Sequence, residues 1–194
     1  YAILERHLET PTQGRMAAFI VVCLLGLAAH LTFVVVLGGF GLWAAVFLFQ
    51  RPEPTIRTIA RLCILFGAQI TAVTFYGAIA VNNMVFGGGA MVPAIDALGD
   101  MAEFTFGVDP AGRGSVTLTI ALGVGWVVWW LHRRAKPEWI FFAVVVLAGP
   151  LGVVIADLSA GLAPRYFIAS ALFALIATAR GIAVLLAGGH WSRI

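Results

Sequence analysis

The chain has 194 residues, 61% of them hydrophobic and only 11% charged. Soluble domains average roughly 45–50% apolar and about 25% charged residues, so the composition excludes an ordinary soluble enzyme and fits an integral membrane protein. The net charge of +3 and pI near 9.3 do not point to nucleic acid, because the basic residues are scattered among apolar spans instead of gathered on one face.

A lipid-embedded backbone must satisfy its own hydrogen bonds, and the alternation of a membrane barrel is absent. The predicted class is therefore all-α, a polytopic transmembrane bundle of about six passes at about 20 residues each. The whole chain, 1–194, reads as one transmembrane domain, part of a longer chain or a complex.

Glu5 to Arg15 is a polar stretch, and no charged residue follows until Arg51. That gap divides near His30 into a short helix over Met16 to Ala29 and a second over Leu31 to Phe49. Arg51, Pro52, Glu53, Pro54, Arg57 and Arg61 form a charged, proline-broken linker before a third helix over Leu62 to Val81. Further passes are expected over Ser115 to Leu131, Trp139 to Ala156 and Arg165 to Gly188. Cys23 and Cys63 lie inside apolar runs without ligand spacing.

Short cytoplasmic loops carry the excess of Lys and Arg. With the amino end inside, Arg6, Arg15, Arg51, Arg57, Arg61, Arg133, Arg134, Lys136 and Arg193 are inside, against Arg113 and Arg165 outside. Both chain ends are then cytoplasmic, in a membrane of the bacterial inner-membrane type. Arg180 lies in the inner part of the last helix and is expected to snorkel to the interface. The long external loop, 83–114, holds an expected amphipathic juxtamembrane helix over 93–106, with Ile95, Leu98, Met101, Ala102 and Phe106 opposite Asp96, Asp100 and Glu103. Its acidic polar face points to shielding a cavity, a protein partner or a metal.

Few residues carry chemistry. Arg165 stands at the external start of an apolar helix, where a guanidinium suits bidentate phosphate binding. It serves equally as a partner for Asp157 or as an interfacial marker. His30, at a hairpin tip within an apolar run, is either a ligand or acid–base group or a packed histidine bonded to a backbone carbonyl. Asp96, Asp100 and Glu103 share a helix face by their spacing. They could ligate a divalent metal or form the solvated side of an amphipathic helix.

In order along the chain, Leu4-Glu5-Arg6-His7-Leu8-Glu9-Thr10-Pro11-Thr12-Gln13-Gly14-Arg15-Met16, then Leu24 to His30, the external Pro93 to Gly107 helix, and Pro164-Arg165-Tyr166 before an apolar helix resemble the GT-C superfamily of polytopic glycosyltransferases, of the protein-mannosyltransferase-like type. The stretch matched is the family's carboxy-terminal half. The resemblance implies transfer of a sugar from a polyprenyl-phosphate donor on the external face, with Arg165 and Tyr166 at the donor phosphate and His30 near the cavity. In the family the catalytic base lies in the first external loop, ahead of the matched stretch. No residue here takes that place, and neither Asp96 nor Asp157 is assigned to it. Two expectations follow: the carboxy-terminal half of a longer glycosyltransferase, or a noncatalytic structural, lipid-binding or pigment-binding subunit of a larger membrane complex. The partners implied are membrane lipid, the lipid-linked donor and other membrane proteins.

Overall fold

The structure is a computed structural model and describes residues 1–30, 32–83, 92–107, 113–134, 137–156 and 167–187. Among the described residues there are eight helices and no β-strand: α1 (Ala2–Glu9), α2 (Gln13–Ala29), α3 (Phe33–Phe49), α4 (Thr55–Asn83), α5 (Ala94–Phe106), α6 (Arg113–Arg133), α7 (139–156) and α8 (Ile168–Ala187). The class is all-α. Among the described residues one helix, over Thr55–Ile79, is long and apolar enough to cross a membrane. Gln13–Ala29, Phe33–Phe49, Trp139–Gly152 and Ile168–Ala183 are shorter apolar helices; seventeen residues of α2 or α3 rise about 26 Å, slightly less than a hydrocarbon core of about 30 Å.

The chain divides into two compact units, Tyr1–Gly88 and Gly89–Ile194. In the first, α1 packs on α2 and α3, and both α2 and α3 pack on α4. Phe19 stands edge-on to Phe40 and Phe66, with ring centroids 5.5 and 5.6 Å apart, so one aromatic cluster joins α2, α3 and α4. All three rings are buried. Thr12 caps α2, its Oγ1 accepting from the Arg15 N–H. The α2–α3 turn is tight because Gly26 lacks a side chain: a Cβ there would stand 2.7 Å from the Phe33 ring.

Two boundaries differ from the sequence expectation. The break expected over Glu5 to Arg15 is narrower, at residues 10–12; α1 runs through Glu9, with Leu4 and Leu8 buried one turn apart. The linker after Arg51 is shorter than expected, because α4 begins at Thr55 and contains Arg57 and Arg61. Pro54 starts the helix instead of breaking it. A proline at a helix start loses no intrahelical bond, and its carbonyl accepts from the N–H groups of Arg57 and Thr58.

In the second unit α5 packs on α6, α8 and the end of α7, while α6 packs on α7 and α8. Gly107 ends α5 at φ +67°, its N–H bonded to the Glu103 carbonyl at 2.8 Å, the left-handed cap that glycine takes at least cost. Helix α7 is not uniform: α-helical turns at Trp139–Phe142 and Gly149–Ala156 flank a π-helical segment, Ala143–Ala148. Gly149-Pro150 accounts for it physically, since Pro150 donates no N–H and its ring presses on the carbonyl four residues back, which a wider turn relieves. The last helix begins at Ile168, later than the expected Arg165, with Phe167 in a 3₁₀ turn ahead of it.

Candidate functional site

The second unit encloses an apolar cavity of about 190 Å³. Its roof is the inner face of α5, with Leu98, Met101, Ala102, Thr105 and Phe106. Ile120, Ala121 and Val124 of α6 form one wall, and Val146, Leu147, Pro150 and Leu151 another, so the widened turn of α7 lies against the cavity. Phe167, Ser170, Ala171 and Ala174 close it from α8. The void follows from side-chain size: Ala102, Ala121, Ala171 and Ala174 face it from three helices, and methyl groups leave room that leucines would fill. Such a lining offers no partner to a charged group.

The amphipathic expectation for α5 has its counterpart here. Ala97 is buried, Leu98, Met101, Ala102 and Phe106 are half-buried against neighbouring helices, and Asp96 is exposed. Thr105 spends its hydroxyl on the Met101 carbonyl at 2.6 Å, leaving its methyl group as the part that can face hydrocarbon. Of the acidic trio, Asp100 and Glu103 are half-buried and both engage other groups. Among the described residues no three His, Cys, Asp or Glu side chains converge on a point that could hold a metal ion.

His30 terminates α2, its backbone N–H bonded to the Gly26 carbonyl at 3.0 Å. Its Nδ1 accepts from the Thr32 N–H at 3.3 Å and lies 2.8 Å from the Thr32 hydroxyl. The imidazole therefore holds the interhelical turn through the Thr32 backbone N–H and hydroxyl. Arg165 and Tyr166, the expected phosphate-binding pair, lie outside the described residues, as does Asp157; Arg165 is two residues along the chain before cavity-lining Phe167.

One functional group was not foreseen. Glu138, 4% exposed just before α7, accepts from Arg180 of α8, with Nη1 to Oε2 at 3.2 Å. Arg180 thus ties α8 to the residue just before α7. The pair borders another cavity, of about 200 Å³, beside Trp126 and Trp130. With the partners 42 positions apart in the chain, no local motif announces it.

Comparison with protein-family models, curated proteins and solved structures finds no match for this chain.

Proposed function

We propose that the chain is the carboxy-terminal part of a GT-C-type membrane glycosyltransferase, with the apolar cavity of the second unit receiving the hydrocarbon chain of a polyprenyl-phosphate sugar donor. The observation that carries this reading is the cavity itself, wholly apolar, roofed by the amphipathic α5 and bordered by Phe167 only two residues after Arg165. A lipid-linked phosphate needs a dry slot for its chain and a fixed cation for its charge. A guanidinium supplies the cation through charge-assisted bonds that strengthen as the leaving phosphate gains charge. Arg165 has that role, Tyr166 orients the phosphate beside it, and the catalytic base belongs to a preceding external loop.

Immersion in a membrane is supported by the outer faces of the helices. Leu25 of α2, Ile70 and Phe75 of α4, Leu122 of α6, Ile155 of α7 and Leu172 of α8 are each more than half exposed. Apolar side chains spread this widely over so many helices are a liability in water and ordinary in lipid. A six-pass arrangement in a bacterial-type inner membrane, with both ends cytoplasmic, follows from the charge distribution.

The test uses the full chain in lipid nanodiscs. Arg165→Ala is expected to weaken binding of a polyprenyl-phosphate hexose at least about tenfold, roughly 1.4 kcal/mol, without lowering the thermal midpoint. Unchanged affinity removes Arg165 from the site. Full binding with no sugar transfer by any longer form of the chain returns the noncatalytic subunit reading.

A further inference from the structure

The first unit has a cavity of its own, about 310 Å³, where α1 and the turn after it lie across α2, α3 and α4. Its lining is divided in kind. His7, Gln13 and Arg61 present polar groups, whereas Met16, Ile64 and Leu65 are apolar. Leu65 is buried but Ile64 is 60% exposed, so the apolar side leads out of the cavity onto the outer surface of α4. His7 has a buried Nδ1 with no hydrogen-bond partner.

The elements around the cavity carry five arginines, Arg6, Arg15, Arg51, Arg57 and Arg61, against three glutamates, Glu5, Glu9 and Glu53. Arg15 donates to the carbonyls of Arg6 and Thr10, and Arg51 donates to the Leu8 carbonyl at 2.7 Å. These bonds hold both guanidinium groups in place without cancelling their charge. Arg61 is held 2.8 Å from Glu53, with its side chain still 41% exposed, and Arg57 is exposed one turn away.

We propose that this cavity binds one phospholipid with an anionic headgroup. Its phosphate lies against Arg61, His7 and Gln13, and one acyl chain passes Met16 and Leu65 onto Ile64. Arg61 at a mainly apolar pocket offers its charge to a phosphate, and the apolar lining selects one that carries a chain. This site is separate from the donor cavity and stands whether or not the chain takes part in sugar transfer.

The experiment is native mass spectrometry of the full chain after exchange into mixed micelles containing phosphatidylglycerol or phosphatidylcholine. Wild type is expected to retain one phosphatidylglycerol at least about tenfold more strongly than phosphatidylcholine. Arg61→Gln is expected to lower that retention by a similar factor. Glu53→Gln, which releases Arg61 from its carboxylate, is expected to raise it severalfold, a gain that simple misfolding cannot produce. Equal retention of the two lipids, or no opposite response of the two variants, overturns the proposal. Inorganic phosphate competing as well as phosphatidylglycerol at equal concentration also overturns it, because the site would then be a free-anion pocket.

Discussion

The two units solve the same packing problem with different side chains. In the first, Phe19, Phe40 and Phe66 meet edge-to-face and fill the space between α2, α3 and α4, and the cavity lies at the charged end. In the second, Phe141 packs with Phe142 and Phe173 between the start of α7 and the facing part of α8, and alanines leave an apolar void beneath α5. Helices of similar composition therefore make a filled interior or a receptive one according to where their small residues fall. Function is read from the alanines as much as from the polar groups.

The largest effect that breaks the contrast is removal of an aromatic from the filled unit. Phe19→Ala is expected to cost about 3–5 kcal/mol, as truncation of a buried aromatic does when its neighbours cannot collapse; thermal unfolding in detergent measures it. A paired substitution sharpens the comparison. Ala44 of α3 is fully buried, so Ala44→Leu is expected to overpack the first unit and cost about 1–3 kcal/mol. Ala171→Leu fills the void of the second unit and is expected to be neutral or stabilising. Equal costs for the two leucines would remove the distinction between the units.

The smallest expected effect is a pH dependence carried by α1. Burial lowers the affinity of His7 for its proton, the Thr12 backbone raises it, and the charges of Arg15 and Arg61 lower it, leaving the pKa below the ordinary 6.5. Between that lowered value and 6.5 the unfolded chain binds more protons. The stabilising contribution is thus full above this window and is lost as pH falls through it. Scans of thermal midpoint between about pH 7.5 and about 5.5 should fall for wild type more steeply than for His7→Gln.

The helical character of the chain and six of its apolar segments were legible because hydropathy is a local signal. Helix α1 escaped because only Leu4 and Leu8 mark its buried face within a polar eight-residue run. The start of α4 escaped because prolines and arginines resemble a linker until Pro54 is placed at the first turn. The π-helical segment did leave a trace, Gly149-Pro150 inside an otherwise continuous apolar pass. At the candidate site, the apolar face of α5 was legible from its period. The cavity beneath it was not, since it depends on alanines from three helices meeting in space. For the same reason the Glu138–Arg180 pair had no signature.

We propose that the void beneath α5 holds a hydrocarbon chain. Its most direct test is the affinity of the full chain for a polyprenyl phosphate before and after Ala171→Phe, a substitution that occupies the void without removing a polar group. Affinity is expected to fall at least about tenfold, roughly 1.4 kcal/mol, while the thermal midpoint holds or rises. Unchanged affinity in a folded Ala171→Phe chain would contradict the account, because the lipid would then bind elsewhere.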